Sequence, residues 1–285
     1  MMHFSQPAAD LYVPDERPLE EALPRTTRMG IGAHQDDLEF MALHGILECF
    51  HKTDQWFGGI TCTDGAGSSR SGPYAEFSDE QMKAVRLEEQ KAAAQIGQYG
   101  FMAQLGHSSA HAKEPAKRNA LSSDIRILLE HTLPEVVYTH NPFDKHRTHV
   151  GVLLAVLEAV HALPESDRPR QIFGCEVWRG LDWLPDSLKV IHNVSAHPNL
   201  AASLNGVFDS QITGGKRYDL AVEGRRLANA TFFESHAVDD ANRVAYAIDL
   251  SALRTPEVSL EDFMRNLLDT FDDEVLGLIN DLKWF

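Results

Sequence analysis

Between residues 28 and 163 the chain alternates short apolar runs with segments of helical period, and this alternation restricts its fold more than any other feature. The apolar runs are RMGIGA (28–33), WFGGITCT (56–63), FMAQLG (101–106) and PEVVYTHNP (134–142). Between them lie helical patterns. Leu38, Met41, Ala42, Gly45, Ile46 and Cys49 recur at helical spacing after the first run, and 78–97 opens on the N-cap residue Ser78 and stops at Gly97. Two further amphipathic segments occupy 122–133 and 148–163. Strands that alternate with helices connect through right-handed crossovers, which predicts a mostly parallel sheet covered on both faces. Downstream, 171–179 and 187–195 read as strands, and 216–235 and 260–282 as helices.

The expected class is therefore α/β: a single Rossmann-like, doubly wound domain over 27–285 with extra C-terminal strands and helices, preceded by an extended arm over 1–26. With 285 residues and no repeat or Gly/Pro-rich linker, nothing divides the chain further. The last helix carries apolar residues at 263, 264, 267, 268, 271, 275, 278, 279 and 282. This stripe is expected to pack on the core, with a subunit contact as the alternative, so a homo-oligomer is an expectation.

Charge narrows the partners. Lys and Arg number 26 against 42 Asp and Glu, a formal net of −16, and a field of that sign repels nucleic acid and anionic membrane. Cys49, Cys62 and Cys175 each lie in an apolar run and read as buried, reduced thiols. No basic start with an apolar core and no apolar run near ~20 residues is present, so a cytoplasmic location is expected.

Two polar clusters come after predicted parallel strands, where a doubly wound sheet opens its ligand crevice. In AHQDDLE (33–39), His34 and Asp37 are three apart and can face one cation, while Asp36 points elsewhere and is free to hold a proton. In HNPFDKHRTHV (140–150), His146 and His149 repeat the spacing. One histidine from the second cluster completes a His₂Asp set, and imidazole with carboxylate suits Zn²⁺.

AHQDDLE resembles the AHPDDxE signature of the PIG-L/LmbE-like zinc de-N-acetylases, and HRTH (146–149) resembles their HPDH. The resemblance implies His34, Asp37 and His149 as zinc ligands, Asp36 as general base, and His146 as the group that stabilises the oxyanion. Glu39 matches the final acid of the signature, a loop-holding residue. TDGAG (63–67) resembles the family's TxGxxG, making Asp64 and Arg70 candidate substrate contacts, and Arg86 with Glu89 fits an RxxE that forms an ion pair under the pocket. Gln35 replaces proline, and Arg147 and Thr148 replace Pro-Asp, leaving Asp144 as the substitute acid and a further candidate near the substrate. LGHSS (105–109) lacks the family's aspartate, so His107 is the stand-in for a sugar contact. Trp178, with Trp183 and Tyr218, is a candidate platform for a sugar ring.

The resemblance implies a Zn²⁺-dependent hydrolase that removes an N-acetyl group from a small amino-sugar substrate of N-acetylglucosamine type. A zinc hydratase or non-sugar amidase on the same scaffold, and a sugar- or metal-binding module without turnover, are the alternatives.

Overall fold

The computed structural model of the protein describes residues 2–283. Eight strands form one sheet: β1 (Asp10–Tyr12), β2 (Arg28–Gly32), β3 (Phe57–Thr63), β4 (Phe101–His107), β5 (Val136–His140), β6 (Gln171–Cys175), β7 (Lys189–Asn193) and β8 (Val244–Asp249). Helices α1 (Leu19–Ala22), α2 (Asp37–Met41), α3 (Leu43–Cys49), α4 (Asp79–Ile96), α5 (Ser109–Lys113) and α6 (Pro115–Thr132) belong to the first half. The second half holds α7 (Arg147–His161), α8 (Pro198–Gly206), α9 (Asp209–Ile212), α10 (Tyr218–Phe232) and α11 (Leu260–Asp281).

The strand order is β1-β4-β3-β2-β5-β6-β8-β7. β4, β3, β2, β5 and β6 run parallel, whereas β1, β8 and their partners pair antiparallel. The centre is thus a doubly wound parallel sheet, as the alternation predicts. From β2 the chain winds outward through β3 and β4, then returns to the other side of β2 at β5. That reversal is the topological switch point, and the crevice of such a sheet opens at the carboxyl ends of the two strands beside it. β3 and β5 are buried along their whole length, so they read as unbroken apolar runs rather than as alternating ones.

Local chemistry sets the helix limits. Ser78 and Gln81 form a reciprocal capping box that starts α4. The single helix expected after β2 is two, because Ala42 leaves helical geometry at φ −105°, ψ 17°. α6 begins at Pro115, seven residues before the expected start, since proline suits the first helical turn.

The arm carries an edge strand that no period in its sequence announces. Its residues 10–12 add β1 to the edge of β4, with Asp10 opposite Gln104, and Ser5 donates through its hydroxyl to Asp124 at 2.6 Å. β1 covers backbone groups that β4 would otherwise expose. β8 was not anticipated either, although VAYAID is apolar enough; it is inserted between β6 and β7. The stripe of α11 packs only through its first turns, where Leu267 is buried and Phe271 meets the Trp183 ring at 5.5 Å. Val275, Leu278, Ile279 and Leu282 face solvent, so core packing does not account for the second half of the stripe. All three cysteines are buried and free, and burial pushes the Cys49 thiol up to about 12. Among the described residues no helix is long and apolar enough to cross a membrane.

Between β7 and α3, the ring of His192 stacks on that of His44 at 4.1 Å between centroids. Burial, reinforced by the charge of His44, holds His192 down to about 3. The unfolded chain takes up this proton near pH 6.5 and the folded chain does not, so stability is full above that pH and falls as pH drops toward the folded value. His192→Phe is expected to flatten the acid limb of the stability curve by as much as about 1.4 kcal/mol per pH unit. Urea denaturation of both proteins between these pH values measures the difference; parallel curves would contradict it.

Candidate metal centre and cavity

The two polar clusters meet at the switch point. His34 to Asp37 leave the end of β2, and Asp144 to His149 lead from β5 into α7. Nδ1 of His34 lies 3.2 Å from Nε2 of His149 and 3.3 Å from Oδ2 of Asp37, and Nε2 of His149 lies 3.5 Å from Oδ1 of Asp37. Ligand bonds of 2.0–2.1 Å to a tetrahedral ion place donor atoms roughly 3.3 Å apart, and these residues meet at about the spacing that fits a single cation, Asp37 facing His34 with Oδ2 and His149 with Oδ1. His34, His146 and His149, and likewise Asp37, His140 and His149, also hold donor atoms within 4.8 Å of one another.

The surrounding groups agree with that fit. Asp144 accepts from Nδ1 of His149 at 3.2 Å, which fixes the tautomer that turns Nε2 toward the other two donors. Burial opposes a charged His149, but the Asp37 and Asp144 carboxylates outweigh it and raise its pKa. Burial likewise works against ionised Asp37, yet His149 and His140 hold it well below the usual carboxylate range. The meeting point of the three donors therefore favours positive charge. Asp37 is oriented by the backbone N–H groups of His34 (2.7 Å) and Ala33 (3.0 Å).

His140 belongs to this cluster and escaped the sequence reading. Its Nε2 accepts from the Ala33 N–H at 3.0 Å, its ring stacks on His149 at 3.9 Å, and burial lowers it to about 4. It holds the β2 loop and the His149 ring together. The signal was present, since a histidine ends the buried strand VVYTH, but it has no ligand spacing to a second residue.

Asp36 takes up φ 98°, a backbone region that non-glycine residues occupy at a cost of about 1–3 kcal/mol. Its N–H donates to Gln90 at 3.2 Å, and its carboxylate lies 3.4 Å from the Arg86 guanidinium. Burial pushes Asp36 well above the usual carboxylate range; Arg86 opposes this, and Asp37 and Glu39 add to it. Burial and the neighbouring His149 and His34 hold His146 down to about 4, leaving a neutral imidazole at neutral pH. Glu39 accepts from Tyr99 (2.7 Å) and Gln90 (2.9 Å) and stays off the cavity wall.

A cavity of about 640 Å³ opens over these groups, lined by His34, Asp36, Asp37, His146 and Arg86 at one end. Trp178 lines it too and stacks on His146, with centroids 5.8 Å apart and planes 21° apart. Asp64 is on the wall, where it accepts from the Ala66 N–H and lies 3.3 Å from Lys83. Three other candidates sit elsewhere. Arg70 does not line the cavity, because its guanidinium donates to the carbonyls of Phe77 and Ala66 and to Asp79. His107 is fully buried against Asp124 (2.8 Å) and His111 (3.0 Å) beneath the arm. Asp144 is buried behind His149, accepting also from the N–H groups of His146 and Trp178, so it orients protein groups rather than a substrate. Arg86 pairs with Asp36 and not with Glu89, whose carboxylate takes the N–H and hydroxyl of Ser210.

Asp144→Asn removes the acceptor charge behind His149, and outer partners of this kind are worth about 10–100-fold in metal affinity. A loss in that range is expected by competition with a chromogenic chelator; unchanged affinity would contradict the role of Asp144.

Residues 29–160 match the PIG-L family, described as GlcNAc-PI de-N-acetylase. No curated protein matches the chain. Among solved structures, N,N'-diacetylchitobiose deacetylase from Pyrococcus horikoshii superposes with a TM-score of 0.63 at 14% identity, over 81% of this chain and 87% of that one. The 4-carboxy-2-hydroxymuconate hydratase GalB from Pseudomonas putida gives 0.60 at 16%, over 82% and 98%. The conserved protein TT1542 from Thermus thermophilus gives 0.58 at 18%, over 78% and 94%. At these identities the likeness establishes the shared fold. Both histidine-aspartate clusters lie within residues 29–160, the segment over which the chain is similar to the PIG-L family.

Proposed function

We propose that the protein is a zinc-dependent hydrolase that removes the N-acetyl group from an N-acetylglucosamine-type sugar or glycoconjugate. The observation that carries this reading is the triangle of His34, Asp37 and His149 with a spare carboxylate, Asp36, beside it on the floor of a cavity. A binding module has no use for that spare carboxylate.

His34, Asp37 and His149 would hold the ion. A bound Zn²⁺ lowers the pKa of water toward about 7 and polarises an amide carbonyl. Asp36 takes the proton of the attacking water as the new C–O bond forms. Its raised pKa makes it a competent acceptor, and a cation among the neighbouring donors favours its ionised form before attack. Arg86 keeps the carboxylate oriented. His146, as a neutral imidazole, donates an N–H to the developing oxyanion, and one such donor is worth about 2.7–4 kcal/mol. The proton on Asp36 then passes to the leaving nitrogen as the C–N bond breaks, giving acetate and a free amine. Trp178 offers its face to the sugar ring.

The test is the stoichiometry of acetate and primary amine released from N-acetylglucosamine and N,N'-diacetylchitobiose by zinc-loaded protein. Equimolar release is expected. Turnover of an unsaturated acid by hydration, with no amine from any acetamide, would assign the site to a hydratase instead.

A further inference from the structure

Helix α11 leaves the body of the protein halfway along its length. Leu267 is buried and the Phe271 ring meets Trp183 at 5.5 Å, but from Asp272 to Lys283 every residue except Gly277 is exposed. The projecting half is nevertheless apolar on one face. Met264, Leu268, Phe271, Val275, Leu278 and Leu282 follow one another in alternating steps of four and three, the seam spacing of paired helices, and Ile279 widens the seam. Past Phe271 this seam faces solvent: Val275 is 37% exposed, Leu278 61% and Leu282 83%. At its head it joins a shallow groove on the outer side of the helix, lined by Leu260, Met264 and Leu268.

The projecting turns are poorly equipped to hold a helix by themselves. Gly277 lies inside, where only proline is less favourable, the last turn holds no basic residue, and Asp281 sets its charge against the negative end of the helix dipole. A free segment of that length is marginal in water, and a contiguous exposed apolar face marks an interaction surface.

Charge says what the surface fits. α11 holds seven carboxylates and one cation, Arg265, which already pairs with Glu261 at 2.6 Å. Asp269 and Asp272 border the seam on one side, and Glu274 and Asp281 on the other. A second copy laid on this seam would bring two acidic borders together, whereas flanking lysines or arginines would be matched on both sides and would relieve the dipole end.

We propose that the free half of α11 docks another protein, and that the segment it takes is an amphipathic helix whose apolar stripe is bordered by Lys and Arg. This interaction goes beyond the hydrolytic reading and does not depend on it.

The experiment uses the full chain and three fluorescein-labelled peptides of three heptads each: one with Leu along the seam and Lys on both borders, one with the same seam and Glu borders, and one with the residues of the first scrambled so that no seam forms. Fluorescence anisotropy at about 0.15 M salt gives Kd. The Lys-bordered peptide is expected to bind about tenfold more tightly than either of the others. Val275→Ser with Leu278→Ser, both at exposed positions, is expected to raise its Kd about tenfold with an unchanged circular dichroism spectrum. Asp272→Lys with Glu274→Lys is expected to transfer the preference to the Glu-bordered peptide. Equal binding of the scrambled peptide would reduce the effect to bulk charge, equal binding of the Glu-bordered peptide would remove the charge selection, and binding that survives the double serine variant would put the contact elsewhere; each overturns the proposal. Sedimentation of the chain alone tests the other occupant. A monomer is expected, and a dimer that the double serine variant dissociates would assign the seam to a second copy and overturn the proposal as well.

Discussion

Asp36→Asn is expected to lower acetate release by about 10²–10⁴-fold, the range that a positioned general base contributes, while metal content stays that of the parent. The substitution is isosteric, and asparagine tolerates positive φ as aspartate does, so φ 98° at this position is preserved. The Gln90 acceptor on the backbone N–H is untouched. What is lost, among the described residues, is the only cavity carboxylate beside the ligand triangle that neither belongs to it nor is held by backbone N–H groups. Steady-state kinetics with parallel elemental analysis measures the effect. Turnover within about threefold of the parent would remove Asp36 from the mechanism.

His149→Ala is expected to abolish stoichiometric metal binding and, with it, turnover. The loss should exceed the about 10–100-fold of an outer-shell partner, because in the proposed site His149 would supply one of three donors, and it carries the bond to Asp144. Its removal also leaves Asp144 and His34 without their buried partner, a destabilisation of about 1–3 kcal/mol. That is small enough for the sheet to persist, since β2 and β5 do not depend on the side chain. Far-UV circular dichroism should match the parent while elemental mass spectrometry finds little metal. A variant that keeps one equivalent of metal would show that His149 is not a ligand.

Much of this was legible in the sequence because it depends on order. The alternation of strands and helices fixes the parallel centre, and both polar clusters come after strands of that centre, so His34, Asp36, Asp37, His146 and His149 had to share one edge. Proximity between distant segments was not legible. That Arg86 turns to Asp36 rather than to Glu89 depends on how α4 packs beside the β2 loop. His107 looked available at the end of β4, but the arm covers it through Ser5 and Asp124. Arg225 and Arg226 fall inside the helix expected over 216–235, and only the return of α10 across the crevice brings them to the cavity. β8 escaped because it enters the sheet out of sequence order, between β6 and β7.

The measurement closest to the central claim is a zinc titration of chelator-stripped protein, with acetate release from an N-acetylated amino sugar monitored at each step. Release should be negligible at the start, rise with zinc, and saturate near one equivalent per chain. Release that never appears at any occupancy, or that is unaffected by stripping, would contradict metal-dependent de-N-acetylation by this site.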